Sequence, residues 1–398
     1  MTHNKSRPAL LILNQMAGPM TWELAEDAGE ELGCVALLTG HPDTLQKSHD
    51  KVFLYPAVAY QRGSFPRRAL SWIQYAIQAF FWLWRWPADI PVLLFSNPPI
   101  LCWVGWVLKK LRGQRYSVMV HDIYPDILVR LAGYSERHPL IRIWRWLNRR
   151  AYENAEVVMT LGELMAENLE KQFDASKTRA GKVEVVYPWV DTERIRPIPK
   201  EENWFAQKYG QVGKLTVMYS GNMGLGHDIE TMLEAAKALK EHPEIHFMFI
   251  GAGPKWQLVK ETIERGQLTN VALLPWQPEE HLPYQLATAD VGLVSLESEL
   301  WDLAIPSKAL YMMATRSALL ALAPDSSTLV ALINETSCGM VIKSGDDTFL
   351  PRQLEFLVSN ASLLQRMRVA ARQAAVSRYA RRKNSRLLLS LVYSKGEI

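Results

Sequence analysis

The chain has 398 residues, of which 48% are hydrophobic and 22% charged, with a net charge of +4. This excludes a disordered or fibrous protein and leaves room for two α/β cores of roughly 200 residues each. Three widely spaced cysteines, Cys34, Cys102 and Cys338, form no CxxC pair, which argues against a disulfide framework or a zinc site and fits a reducing cytoplasm.

Residues 1–16 offer only about six apolar side chains after a basic stretch, too few for a signal-peptide core, and their end reads as a first buried strand. Short apolar runs then alternate with helical patterns, as in a doubly wound parallel sheet. Strands are expected at Leu10–Leu13, Val35–Thr39, Val92–Ser96, Ser117–Val120, Val157–Leu161 and Val183–Tyr187. Between Lys51 and Val120 nine basic residues (Lys51, Arg62, Arg67, Arg68, Arg85, Lys109, Lys110, Arg112, Arg115) face one acid, Asp89. Six of the fourteen tryptophans share this stretch: Trp72, Trp82, Trp84, Trp86, Trp103 and Trp106. Ala69–Trp84 is uncharged, but Gln74 and Gln78 interrupt it and it falls short of the roughly 20 residues of a spanning helix. As a helix it places Gln74, Gln78 and Arg85 on one stripe, interrupted by Phe81, and Trp72, Ala76, Ala79, Leu83 and Trp86 on the other side. Such a helix either packs on the sheet in the ordinary way or lies on an anionic leaflet. The basic, Trp-rich 62–115 region favours peripheral membrane contact of the domain as a whole. No nucleic-acid-binding motif accompanies it, so nucleic acid is not expected.

Pro188, Pro197 and Pro199 break regular structure across residues 185–204, the expected linker. Alternation restarts at Leu215–Tyr219, His246–Ile250, Val271–Leu274, Val291–Ser295, Ala318–Leu322 and Met340–Ile342. After the first of these, Gly221, Gly224 and Gly226 permit a tight turn against a ligand, and a helix from about His227 would aim its positive end at an anion. The expected organisation is two Rossmann-like domains, 1–195 and 196–379, facing a central cleft, with ligands at the carboxyl ends of the strands. Leu363–Val392 reads as Arg-rich helix, with residues 380–398 packing back on the first domain.

YSGNMGLGHDIETMLEAA, FIGAGPKW, LPWQPEEHLPYQLATADVGLVSL and IPSKALYMMA, in this order, resemble the carboxyl-terminal half of a GT-B glycosyltransferase of the large retaining family 4. SNPPILCW, VHDIYPDI and VVYPWVDT resemble the branch that builds bacterial exopolysaccharide and colanic-acid-type chains, so the likeness covers nearly the whole chain. It implies transfer of a sugar from a nucleotide-diphosphate sugar to an acceptor hydroxyl, with the acceptor lipid-linked at the inner face of the cell membrane. Two negative charges grow on the departing nucleotide, and preorganised donors must meet them.

The resemblance assigns the donor side to Gly221, Asn222, Met223, Gly224 and Gly226, with Lys308 as the cationic partner and Ser307 as cap or phosphate donor. Gly251 and Gly253 either lie beside the nucleotide or merely serve a strand-to-helix turn. Trp276 and Gln277 fall where relatives present backbone to the base. His121 and Asp122 end a strand of the first domain, where a family His contacts donor sugar or phosphate; a His at a strand end is also often only structural. Asp122 orients His121 or accepts the acceptor proton. Gly18 sits at the acceptor-side loop, with one glycine where relatives have two. Asp290 reads as structural. The absence of DxD means that no metal is demanded, and no cofactor is expected.

Two departures stand out. The paired glutamates of many relatives align with Leu303 and Tyr311; Glu297 and Glu299 are nearby but out of register, and pairing from Glu299 lands on Ser307. The glycine turn also lacks the basic residues that relatives use for diphosphate, carrying Asn222 and His227 in that neighbourhood instead. A catalytically inactive nucleotide-sugar-binding subunit at the membrane is therefore the alternative, while an epimerase lacks a convincing carboxylate pair.

Overall fold

The computed structural model describes residues 7–61, 63–173, 182–296, 306–342 and 348–393. Arg62, Glu297, Glu299 and Leu303 lie outside the described residues. Contacts divide the chain into two compact units, Met1–Tyr187 with Arg382–Ile398, and Pro188–Arg381.

The first unit holds β1 (Leu10–Leu13), β2 (Val35–Thr39), β3 (Val52–Pro56), β4 (Val92–Phe95), β5 (Tyr116–Val120), β6 (Val158–Thr160) and β7 (Val183–Val185). They form one sheet in the order β3-β2-β1-β4-β5-β6-β7, and every pair is parallel. The runs LLIL, VALLT, VLLF and YSVMV are buried along their whole length because helices cover both faces. β3 escapes the apolar-run reading for the opposite reason. It is an edge strand, mostly half-exposed, and ends in Pro56, where a missing N–H costs the ladder nothing.

In the second unit β8 (Leu215–Asn222), β9 (Ile245–Ala252), β10 (Val271–Leu274), β11 (Val291–Ser295), β12 (Ala318–Leu322) and β13 (Gly339–Ile342) form a parallel sheet in the order β10-β9-β8-β11-β12-β13. Phe247 and Phe249 from β9 meet Met232 and Leu233 of helix Ile229–Ala238 in its core. Each sheet reverses its strand order once, between β1 and β4 and between β8 and β11, and crevices open at the carboxyl side of such reversals.

The Arg-rich end is two helices, Ala361–Arg378 and Arg381–Tyr393. At the break Val190 pairs with Ala380. The second helix returns to β1: Tyr393 Oη donates to the Ala9 carbonyl at 2.9 Å, and Arg386 Nε donates to Glu31 at 2.6 Å.

Helix Phe65–Trp84 departs from the expected stripes. Trp72, Tyr75, Ala79, Trp82 and Leu83 are buried. Gln78, expected on a polar outer stripe, turns inward instead. Its Oε1 accepts from Val58 N at 3.0 Å and its Nε2 donates to the Pro56 carbonyl at 3.2 Å, satisfying backbone at the sheet edge. Between the ends of the helix the outward side is left, apart from Gln74, to apolar side chains.

Asp290, just ahead of β11, anchors the amino end of the second sheet. Its carboxylate pairs with Lys200, meets Arg368 at 3.1 Å and accepts from Thr216 N at 2.9 Å. Burial pulls the Lys200 ammonium below its usual pKa, against the opposing pull of Asp290. Asp290→Ala would leave two cations packed around a missing carboxylate and is expected to lower stability by about 3–5 kcal/mol in urea unfolding, as removal of one partner of a buried ion pair does.

Candidate functional site

β8 and β9 end side by side, Gly221 opposite Gly251 and Asn222 opposite Ala252. Gly221, Gly251 and Gly253 have φ of 139°, 145° and 141°. A Cβ on Gly251 would lie 2.0 Å from the Gly221 carbonyl oxygen, and one on Gly253 would lie 2.6 Å from that of Met223. Gly251 and Gly253 therefore serve this close approach of two strand ends, and they draw the second glycine turn against the first.

Lys308 enters at the β8/β11 reversal. Its Nζ donates to Tyr219 Oη at 3.1 Å and sits 4.6 Å from the centroid of the Tyr219 ring. Lys308 Nζ would lie 3.8 Å from a Cβ on Gly221, so the ammonium stands directly against the glycine turn. Tyr219 Oη in turn donates to the Asn222 carbonyl at 2.7 Å. A cation, a phenol and a bent backbone thus share one corner. Ser307 is exposed and opens helix Ser307–Ala314, whose N-cap position belongs to Pro306, so Ser307 does not fill the capping role expected of it.

The turn differs from its expected form in two ways. Helix Ile229–Ala238 starts beyond His227, capped by Asp228, which accepts from Thr231 N at 3.0 Å. A carboxylate thus occupies the end that was expected to face an anion. Of the Asn222–Gly226 amides, Met223 N is committed to the Ala252 carbonyl at 2.7 Å. Met223 itself is fully buried, Gly224 O accepts from His227 N at 3.2 Å, and Gly226 is exposed. His227 Nδ1 lies 3.0 Å from the Ser295 carbonyl and Asp228 N donates to Ser295 Oγ at 2.9 Å, tying the loop to the end of β11.

Sequence reasoning missed Tyr219 and Lys255. Lys255 Nζ donates to the His227 carbonyl at 2.6 Å and to Glu230 at 2.7 Å, bracing the loop from below. The alternation of β8 carried a signal for Tyr219, since Val217, Tyr219 and Gly221 share one face. Trp276 and Gln277 follow the edge strand β10; Trp276 is 59% exposed and the Gln277 amide folds back on the Pro275 carbonyl at 2.8 Å.

In the first unit, His121 and Asp122 follow β5, and both backbone N–H groups donate to Ser96 Oγ, at 2.8 and 3.3 Å. The His121 ring stands edge-on to Phe95, and its Nε2 is buried without a hydrogen-bond partner among the described residues. Burial pulls its pKa down to about 4, so the imidazole is neutral at pH 7 and offers hydrogen bonding rather than charge. Asp122 remains exposed, yet the protein around it raises its carboxyl pKa. Gly18 caps helix Pro19–Leu32 after β1, with φ −77° and open space where a Cβ would stand, so neither room nor backbone demands glycine there. The buried Asn14 shapes that loop, donating to Thr21 Oγ1 at 2.8 Å and accepting from Met16 N at 3.0 Å.

Gly251→Ala is expected to destabilise the second unit severely, whereas Gly18→Ala is expected to stay within about 0.5 kcal/mol of wild type, both by thermal unfolding. His121 supplies a pH test. Its folded pKa lies below the unfolded value near 6.5, so its contribution is complete above pH 6.5 and is lost as pH falls toward 4. The loss amounts to at most about 3 kcal/mol, and His121→Gln should flatten that part of the stability profile in urea titrations at stepped pH.

Residues 18–189 match the family described as "Glycosyl transferase 4-like domain", and residues 200–374 match "Glycosyl transferases group 1". The "Probable glycosyltransferase WbjE" of Pseudomonas aeruginosa is 26% identical over 264 residues, covering 66% of this chain and 65% of the relative. The "Putative colanic acid biosynthesis glycosyl transferase WcaI" of Escherichia coli (strain K12) is 26% identical over 267 residues, covering 65% and 63%. This chain therefore spans a little under two thirds of either relative. The crystal structure of Anabaena Alr3699/HepE in complex with UDP superposes with a TM-score of 0.71 at 14% identity, over 97% of this chain and 99% of that one, a likeness of fold.

Proposed function

This chain belongs to the GT-B glycosyltransferases of the exopolysaccharide and colanic-acid type, and we propose that it moves a sugar from a nucleotide-diphosphate sugar to a lipid-linked saccharide acceptor during synthesis of a cell-surface polysaccharide. The observation that carries this reading is Lys308 Nζ held against the Gly221 turn at the β8/β11 reversal. UDP bound to the HepE relative supports a nucleotide at the corresponding fold.

In the proposed reaction the bond from the sugar's anomeric carbon to the diphosphate breaks and a bond to the acceptor oxygen forms on the same face, with retention. The acceptor proton leaves with the diphosphate. Lys308 meets the growing phosphate charge, helped by uncommitted amides of the glycine turn, and no metal is needed for that role. Because Asp228 brings a negative charge to the helix start, Lys308 carries more of the burden than the helix dipole does. His121, neutral and with an unpaired Nε2, is assigned a hydrogen bond to donor sugar or phosphate. Asp122 is assigned to the acceptor hydroxyl. The protein works in the cytoplasm, peripherally bound to the inner face of the membrane, where the basic stretch meets anionic lipid.

Thermal unfolding with UDP-, GDP- and ADP-sugars should show stabilisation by one nucleotide class, about 2.7 kcal/mol at a hundred times its Kd. Lys308→Ala should weaken that binding roughly 10–100-fold, the worth of a hydrogen bond to a charged group, and lower donor turnover at least as much. Equal binding and turnover in Lys308→Ala would refute the assignment. Donor binding with neither hydrolysis nor transfer would instead favour an inactive nucleotide-sugar-binding subunit.

A further inference from the structure

Helix Phe65–Trp84 is apolar on both sides. Its inner face packs on the first sheet, as described above, yet Leu70, Ile73, Ile77, Phe81 and Trp84 recur at helical spacing along the outer face, with Ile77 54% and Phe81 60% exposed. At 1.5 Å per residue this helix of 20 residues presents an apolar stripe about 30 Å long. A surface helix normally turns polar residues outward, and this one does so only at its ends and at Gln74.

The stripe does not stand alone. Helix Leu101–Arg112 packs beside it, and helix Pro139–Asn154 packs beside that one. The second helix exposes Val107 and Leu111, and the third exposes Leu140, Ile143 and Trp146. Between the first two runs a groove of about 310 Å³ whose walls include Ile73, Ile77, Phe80, Trp103, Val104 and Val107. Trp106 and Trp146 meet edge-on at 6.2 Å, joining the second helix to the third. A continuous apolar area of this kind marks an interaction surface.

Charge identifies what covers it. The first two helices contain no Asp or Glu, and the third contains only Glu153, which lies 3.8 Å from Arg149 and 3.6 Å from Arg150. Arg67, Arg85, Lys110 and Arg142 are exposed around the apolar area. Arg112 sits 5.4 Å over the Trp84 ring and Arg150 sits 5.8 Å over Trp146, so each outer tryptophan is rimmed by a guanidinium. Lys109, by contrast, is paired with Glu156 at 2.8 Å and adds little to the rim. Two copies meeting through this face would oppose like charges, whereas an anionic lipid leaflet satisfies both the basic rim and the apolar centre. No helix among the described residues is long and apolar enough to cross a membrane.

We propose that the outer faces of these three helices insert together, parallel to the leaflet, into the boundary between headgroups and acyl chains of an anionic membrane, with lipid hydrocarbon filling the groove between the first two. This deepens the membrane reading of the proposed function: the contact is apolar insertion ringed by basic residues, and it extends to a third helix beyond the 62–115 region. It rests on that reading for its place in the reaction, but on no property of the donor site.

The test is co-sedimentation of the full chain with phosphatidylcholine vesicles, with and without phosphatidylglycerol, at about 0.1 M and about 1 M salt, where the screening length falls from about 10 Å to about 3 Å. Binding should favour the anionic vesicles at low salt and persist in part at high salt. The triple variant Ile73→Ser, Ile77→Ser, Phe81→Ser, altered only at exposed positions, should bind roughly tenfold or more weakly. Its thermal unfolding, and its stabilisation by whichever nucleotide sugar stabilises wild type, should be unchanged. Acyl-chain-brominated lipid should quench tryptophan fluorescence in wild type and much less in the variant. Undiminished binding by the variant, or complete loss of wild-type binding at high salt, would overturn insertion. So would a wild-type dimer in sedimentation velocity that the variant abolishes while vesicle binding stays the same. Nucleotide stabilisation in these same samples reports separately on the donor reading, so one can fail without the other.

Discussion

Two strand ends that come too close for a side chain set the geometry of the second unit's candidate site. The Gly251 position is shut by the Gly221 carbonyl, and Gly253 is shut by that of Met223. The glycines are there because the backbones touch, and the contact leaves Lys308 and Tyr219 beside a bent, glycine-lined corner. Phosphate chemistry suits such a corner, where a large anion can approach peptide groups and a cation together. What the helix behind it contributes is reduced by its own cap, Asp228.

The first unit arranges its candidate groups by a different means. His121 and Asp122 are held through backbone N–H groups on one hydroxyl, Ser96 Oγ, at the end of the neighbouring strand. The His121 side chain is thereby free to present a neutral ring whose Nε2 has no partner among the described residues. A buried, unpaired nitrogen carries a desolvation cost that a hydrogen-bonding ligand would remove.

Much of the fold was legible because strands buried on both faces must be written as unbroken apolar runs, and runs such as LLIL and ALLAL leave little else to be. What escaped was whatever one sequence pattern cannot separate. β3 lies at an edge and reads like loop; Gln78 looks like a solvent residue but serves the backbone of Val58 and Pro56; Asp228 looks like ordinary helix-start polarity but takes up an amide that would otherwise face an anion. Lys308 could be chosen from its motif, whereas its partner Tyr219 depended on which face of β8 turned toward it. The outward apolar stripe on helix Phe65–Trp84 was hidden because Gln74, Gln78 and Arg85 read as one polar stripe, whereas Gln78 serves backbone and Ile73, Ile77 and Phe81 take the outside.

The return of helix Arg381–Tyr393 to β1, through Tyr393 and Arg386, has a consequence for how the chain is made. The second unit is one uninterrupted stretch, while the first is assembled from segments on both sides of it. On the ribosome the unit begun first is therefore finished last. β1 must wait, with the flank meant for helix Arg381–Tyr393 uncovered, until the second unit has been synthesised and that helix follows it.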